Sequence, residues 1–362
     1  MNPVPIVIAI PSLLLGGAER FAVQLAMNLD RERFAPTVMV TRGQGDTELA
    51  RKLTENGVNI IDTSSRSWLG CVVKVTIEIV RLRPAVVHTN LSSLLHVAAG
   101  LALTRSVRVR IHTMHSMAGY GEPGFRRLLF HFVLHALKFT PVAVSDAVMT
   151  STVGVYEFSE DAIPIIYNGV NLEDFTPRPR IAALDQVTRF IAVGNLVSVK
   201  NHLLMLRAFA AVKRAATVPV SLCIVGDGPL YEGLREEMSR LGIAKDVELA
   251  GRQTDVASLL RQSDVFVSSS DVEGLPLALL EGMACGLPVA ATAAGGVVDV
   301  VRPEIDGFVV RPGDVEALRG AMLELTNDPE LRIKMGAAAR LRAEEFSLHA
   351  CVRRYERLYE QR

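Results

Sequence analysis

The 362-residue chain has no excess of either charge, with 39 Lys+Arg against 39 Asp+Glu. That balance excludes the chain-wide basic field by which a general polyanion or nucleic-acid binder draws in its partner. Cysteine is scarce. Cys71, Cys223, Cys285 and Cys351 stand far apart, with no CxxC pair and no metal-ligand spacing. This excludes a disulfide framework and a zinc site, and it suits small core hydrophobes in a reducing compartment. Aromatics make up 6% of the residues while hydrophobics make up 49%, a share that excludes general disorder. No uncharged apolar run reaches the roughly 18 residues of a membrane span. Val4–Leu15 could pass for a signal h-region, but it has no basic n-region, contains Pro11 and runs straight into Gly16–Gly17. It therefore reads as a buried first strand. Also missing are a Lys followed by Ser or Thr, an HExxH and a GxSxG, so Walker A, zincin and nucleophile-elbow chemistry drop out. The expectation is a cytoplasmic protein, with contact at the inner face of a membrane left open.

What is present is alternation. Short β-branched runs (Ile6–Ile10, Thr37–Thr41, Val58–Ile61, Ala85–His88, Val107–His112) alternate with longer amphipathic segments. This is the pattern of a parallel sheet covered by helices on both faces. It then restarts with Phe190–Gly194, Val220–Gly226, Val247–Ala250, Val265–Ser269, Pro288–Ala291 and Gly307–Val310. Between the two sets lies the proline- and charge-rich segment from Phe175 to Arg180, a natural boundary. Two Rossmann-like domains are expected, 1–178 and 187–345, followed by a C-terminal helix over 346–362 with Ser347 as its N-cap.

Four places carry chemistry. Gly16–Gly17, at a strand-to-helix junction, reads either as backbone that an anion can approach or as a tight turn needing positive φ. Gly226-Asp227-Gly228-Pro229 follows a strand but lacks the third glycine of a dinucleotide fingerprint, and Pro229 suits a first helical turn. Lys200 follows the strand end at Gly194 and could offer a point charge to a phosphate, although a lone lysine is more often simply solvated. Ser268–Glu281 is the densest stretch. Glu273 falls on the loop before a Gly-Leu-Pro helix start, where the helix N-terminus alone would favour a carboxylate. Glu281 falls two turns along an otherwise apolar helix. A carboxylate buried there needs donors, which sugar or ribose hydroxyls could supply.

Together these segments resemble the family-four retaining glycosyltransferases of GT-B architecture, over nearly the whole chain. The matching pieces are Gly16-Gly17-Ala18-Glu19-Arg20, His112-Thr113-Met114-His115, Ile166 to Asn171, Gly194 to His202, Val225 to Pro229 and Val247 to Gly251. Glu273-Gly274-Leu275-Pro276 to Glu281, Gly286 to Val289 and Gly295-Gly296 complete the set. The resemblance implies two Rossmann-like domains facing across a cleft that holds the active site, with the C-terminal helix crossing back to the first domain. It also implies a nucleotide sugar, UDP favoured over GDP, held mainly by the C-terminal domain. A glycan or lipid-linked acceptor would be held mainly by the N-terminal one, and no metal is expected. By analogy Glu281 would bind the ribose and Glu273 a sugar hydroxyl, with the N–H groups of Gly274 and Leu275 fixing the donor. Lys200 and the N–H groups of Gly16 and Gly17 would face the diphosphate, His115 the sugar, and the segment around Arg252 the base. Asn195 stands where many relatives carry Arg, which shifts the load of the diphosphate charge onto Lys200 or calls for another basic residue. The alternatives are a nucleotide-sugar epimerase or hydrolase of the same fold and a non-catalytic nucleotide-sugar-binding regulator.

The overall charge balance hides a local excess. From Arg81 to Lys138 there are eight basic residues, Arg126 and Arg127 among them, against the single acid Glu122. Within this stretch, residues 124–139 form a helix candidate that is apolar around much of its circumference. It reads as a helix lying on an anionic membrane, as a groove for a lipid-diphosphate acceptor, or as a well-buried helix with basic ends.

Overall fold

The computed structural model describes residues 3–14, 16–43, 47–121, 123–178 and 187–361. Leu15, Glu122 and the last two residues of the Phe175–Arg180 boundary segment lie outside them. The chain divides into two compact units, Met1–Asn168 with His349–Arg362, and Gly169–Leu348.

In the first unit the chain runs β1 (Val4–Ile10), α1 (Gly17–Asn28), β2 (Phe34–Val40), α2 (Glu48–Glu55), β3 (Asn59–Asp62) and α3 (Trp68–Leu82). It continues with β4 (Val86–Asn90), α4 (Ser93–Ala102), β5 (Val109–Met114), α5 (Gly124–Ala136), β6 (Thr140–Ala143) and α6 (Asp146–Tyr156). The sheet order is β3-β2-β1-β4-β5-β6, and every pairing is parallel. The central strands are buried on both faces, as Ile6, Val7, Ile8, Ala9 and Ile10 show. That double burial is why their sequences are continuous apolar runs and do not alternate. β6 carries Pro141, and it lies at the sheet edge, where a missing ladder donor is tolerated.

The second unit runs β7 (Thr188–Val193), α7 (His202–Ala215), β8 (Val220–Val225), α8 (Tyr231–Arg240), β9 (Val247–Gly251), α9 (Val256–Gln262) and β10 (Val265–Ser268). It continues with α10 (Leu277–Ala284), β11 (Val289–Thr292), α11 (Val297–Val300), β12 (Gly307–Val310), α12 (Val315–Asn327) and α13 (Pro329–Glu344). Its parallel order, β9-β8-β7-β10-β11-β12, repeats the winding of the first sheet. In both units the direction of winding reverses beside the first strand, between β1 and β4 and between β7 and β10. In open α/β sheets ligands collect at the carboxyl edge of such reversals.

The ends of β7 and β8 touch because of one glycine. At Gly226 φ is +149°, and a Cβ there would sit 1.9 Å from the Gly194 carbonyl oxygen, so any side chain would force the two strand ends apart. Pro229 lies in the turn ahead of α8, not inside its first helical turn.

The last helix, α14 (Leu348–Glu360), belongs to the first unit for nearly all its length. It buries Cys351, Val352, Tyr355 and Tyr359 along one stripe. His88 of β4 is the anchor. Its Nδ1 lies 2.7 Å from the Tyr359 hydroxyl, its Nε2 lies 2.7 Å from Thr113 Oγ1, and its ring stacks on Tyr355. Tyr359→Phe strips one partner from a fully buried imidazole. The expected loss is about 1–3 kcal/mol of unfolding free energy, read from urea transitions; an unchanged midpoint would mean this contact does not hold the helix.

Candidate active site

In the second unit the chemistry-bearing residues meet where the strand order reverses. β7 and β10 are parallel neighbours, with Phe190 paired to Val265 and Ile191 to Phe266. Beyond β7 the chain passes Gly194, makes a 3-10 turn at Ser198–Lys200 and enters α7 through Asn201, which is left-handed at φ 45°. Beyond β10 it passes Ser269 to Asp271 and reaches Glu273. The two loops are laced together. Ser269 Oγ bonds the carbonyls of Lys200 (2.9 Å) and Asn201 (3.0 Å), and the Asp271 N–H donates to Val199 O at 2.8 Å. Asn201 Nδ2 donates to both carboxylate oxygens of Asp271, at 3.0 and 3.2 Å.

This lacing brings Lys200 Nζ to 2.5 Å from Glu273 Oε1, which also accepts from Ser270 Oγ at 2.6 Å. The lysine stem runs over Gly194, where an added Cβ would lie 3.4 Å from Lys200 Cε. Glu273 is supported from behind by Gly295, whose φ is +52° and whose Cβ would fall 2.0 Å from the Glu273 carbonyl oxygen. Gly296 N–H closes the same contact by donating to Gly274 O at 2.6 Å. The Lys200 side chain is 23% exposed and that of Glu273 10%. A cation and an anion are thus held in fixed register, and both remain reachable from solvent.

The other sequence-predicted residues of this unit sit around the pair. Gly274 and Leu275 are buried in the turn before α10, and Glu281 is 2% exposed in the second turn of that helix. Asn195 is exposed just past Gly194. Arg252 is solvent-facing, its Nε 3.6 Å from Asp227 Oδ2, an arrangement that contributes little to stability. Beside Lys200, His202 is buried and its pKa is pushed down to about 4 by burial, with the lysine's charge adding to the effect. It is therefore neutral at pH 7.

In the first unit the ends of β1 and β5 open onto a cavity of about 690 Å³ lined by Ser12, Glu19, Arg42, His115 and Arg126 among others. His115 Nε2 donates to Asn90 Oδ1 at 2.8 Å, and Asn90 in turn donates from Nδ2 to Ala9 O. Burial holds the His115 pKa down at about 3, with His112 adding a smaller push. A neutral ring protonated at Nε2 leaves Nδ1 as an acceptor. The two glycines of the first loop behave differently from a positive-φ turn. Gly16 has φ −92°, and neither glycine has positive φ. Gly16 instead makes room for a carboxylate, since a Cβ there would come within 2.3 Å of Glu19 Oε2. Its N–H already donates to Leu14 O, whereas Gly17 opens α1 with free space at its Cβ position. Burial raises the pKa of the Glu19 carboxyl.

α5 departs from one of its expected readings. It is not a well-buried helix, because only Phe130, Val133 and Leu134 are buried. Phe125, Leu128 and Phe132 are 79%, 67% and 65% exposed, which puts them on one open stripe. Arg126 turns into the cavity, with its guanidinium 5.6 Å from the Phe130 ring centroid, while Arg127 is exposed near Gly119. Sequence reasoning missed Asn90, Asn201, Asp271 and Arg42. A signal existed for Asn90, because β4 ends in three polar residues, His88-Thr89-Asn90, yet is a central strand. The others lie on loops where only the fold assigns neighbours.

Comparison with known proteins gives the family. Residues 15–174 match the family described as Glycosyltransferase Family 4, and residues 177–342 match Glycosyl transferases group 1. Over 224 residues the chain is 30% identical to the N-acetyl-alpha-D-glucosaminyl L-malate synthase of Bacillus anthracis, covering 60% of this chain and 58% of that one. Over 181 residues it is 34% identical to the UDP-Gal:alpha-D-GlcNAc-diphosphoundecaprenol alpha-1,3-galactosyltransferase of Escherichia coli, covering 47% of each. These matches span about half the length of the two relatives. Among solved structures, Anabaena HepE in complex with UDP and glucose superposes with a TM-score of 0.86 at 19% identity, over 98% of both chains. Two consecutive α/β units of identical winding define the GT-B fold class. The chain belongs to the GT-B glycosyltransferases of the family-four type.

Among the described residues no helix is long and apolar enough to cross a membrane, and no group of three His, Cys, Asp or Glu side chains could hold a metal ion.

Proposed function

We propose that the protein is a retaining hexosyltransferase that moves a sugar from a nucleotide diphosphate sugar, UDP in preference to GDP, to a glycan or lipid-linked acceptor. Its setting would be surface-polysaccharide or lipid-glycan assembly on the cytoplasmic side of the membrane. The Lys200–Glu273 pair at the strand reversal of the second unit carries this reading. It sets a cation where a diphosphate would lie and a carboxylate where a sugar hydroxyl would donate. The galactosyltransferase relative, whose name specifies UDP-Gal, supports the choice of donor.

In this mechanism the C1–O bond to the diphosphate breaks and negative charge builds on the departing oxygen. Lys200 stabilises that charge; fixed donors aimed at developing charge are usually the largest catalytic contribution. The acceptor oxygen attacks from the face of departure, and its proton passes to the leaving phosphate oxygen. Glu273 and Glu281 therefore hold hydroxyls, of the sugar and the ribose respectively, and are not a glycosidase acid–base pair. Gly274 and Leu275 fix the donor through backbone N–H groups, Arg252 and Asn195 border the nucleotide, and His115 Nδ1 accepts from a hydroxyl. Because Lys200 supplies the neutralising charge, transfer is expected to persist in EDTA.

Thermal-shift screening tests the donor. A UDP-sugar at 100 times its Kd is expected to stabilise the protein by about 2.7 kcal/mol, with GDP-sugars weaker. Transfer assays with the best binder follow. Stabilisation without transfer or donor hydrolysis would replace this reading with that of a non-catalytic binder.

A further inference from the structure

Beside the 690 Å³ cavity lies a second one of about 420 Å³, lined by Arg42, Arg66, Ser67, Trp68, His96 and Arg126 among others. The two share Arg42, Ser92 and Arg126, so they adjoin. Three arginines line the smaller cavity and no carboxylate does. Among the described residues none of these three guanidinium groups has an ion-pair partner, and Arg126 Nε is buried without a hydrogen bond. Like charges gathered this way repel one another, and the arrangement becomes favourable when a multiply charged anion accepts from them. Guanidinium forks suit phosphate oxygens in particular. His96 bonds Ser92 O through Nδ1 at 3.2 Å, and its pKa is lowered chiefly by burial, with the charges of Arg42 and Arg126 adding to the effect.

The rim of the cavity carries a second observation. Trp68, which lines it, starts α3, and Trp68, Leu69, Val73, Ile77 and Val80 are all exposed. Leu69 to Val80 recur at helical spacing, as one stripe. Arg126 sits in the first turn of α5, whose exposed stripe is Phe125, Leu128 and Phe132. α4 packs against both helices. Each stripe is a row of large exposed apolar side chains, which marks an interaction surface, and basic side chains among apolar ones on helices suit an anionic lipid interface.

We propose that the arginine-lined cavity of the first unit holds the phosphate of a lipid-borne acceptor, with the exposed stripes of α3 and α5 entering the lipid around it. A phosphate held by Arg42, Arg66 and Arg126 places the group attached to it in the adjoining cavity, beside His115 and Ser12. That the bound lipid is an acceptor rests on the transferase reading; that the cavity binds a lipid phosphate does not.

Trp68 is the single tryptophan of the chain, so its fluorescence reports on this cavity alone. The full chain is mixed with vesicles of phosphatidylcholine, with and without phosphatidic acid, some carrying brominated acyl chains. Co-sedimentation and quenching of Trp68 are expected with phosphatidic acid and not with phosphatidylcholine alone. The double variant Arg42→Gln/Arg126→Gln should bind about tenfold or more weakly, and Phe125→Ser/Phe132→Ser should lose quenching. Circular dichroism confirms that both variants fold. Equal binding to both vesicle types, or wild-type binding by the arginine variant, overturns the proposal. So does glycerol 3-phosphate perturbing Trp68 as strongly as vesicles do, since the site would then serve a soluble phosphate. The UDP-sugar shift is read independently, in the second unit. Vesicle binding without that shift keeps the site and removes the transferase reading.

Discussion

Lys200→Ala is expected to lower the turnover of sugar transfer by about 10²–10³, the range found when one preorganised donor to a developing anion is removed. The reason lies in how the lysine is held. Its stem crosses Gly194, its ammonium is fixed by Glu273, and both loops are tied by Ser269, Asn201 and Asp271. Little reorganisation remains to be done when charge develops, and a mobile cation from solvent would not replace it. The effect should fall mainly on kcat, because the charge it meets is larger in the transition state than in the ground state. Lys200→Arg should rescue poorly, since a planar fork cannot take the place of a compact ammonium beside Glu273. Glu273→Gln also slows transfer, but the double variant should fall short of the product of the two single effects, because the residues are partners. Unchanged turnover in Lys200→Ala would remove the pair from the mechanism.

The second large effect is acid destabilisation. His88 and His112 lie buried on neighbouring strands β4 and β5, and His202 is buried at the start of α7. Burial lowers the His112 pKa to about 3 and that of His202 to about 4, and pushes His88 well down. The unfolded chain protonates these rings near pH 6.5 while the folded chain does not, so the unfolded state binds more protons below that pH. Stability is therefore complete above about pH 6.5 and falls as pH drops towards the folded values. For His112 and His202 the loss between about pH 7.5 and pH 5 is about 2 kcal/mol each, large beside a total stability of roughly 5–15 kcal/mol. Urea midpoints across that range should decline steeply, and His112→Asn should flatten the slope. A midpoint independent of pH would show that the buried rings are protonated in the folded state.

Much of the fold was legible in the sequence, because helix-covered parallel strands must be apolar on both faces and the turns between them need glycine and proline. The observed strands match the expected runs with slightly shifted ends, as Asn59–Asp62 does against Val58–Ile61. β6 escaped because it is a short edge strand containing proline. Glu281 was legible as a buried carboxylate because its neighbours along the helix are apolar. The reading of α5 as a buried helix failed for a physical reason. A circumference that is apolar nearly all round does not say which side meets the sheet, and one stripe of three large side chains stayed open.

By itself the sequence determined two alternating strand–helix sets and the residue types carried by the loops that follow the strands. Those properties follow from local composition and periodicity. Tertiary structure alone decided the strand order that brings Lys200 to Glu273 across 73 residues of chain. It also decided the return of α14 to His88 and the convergence of Arg42, Arg66 and Arg126. The chain is neutral as a whole, so these fields arise only where distant charges are packed together. Coulomb energy depends on distance in space, and sequence separation does not set that distance.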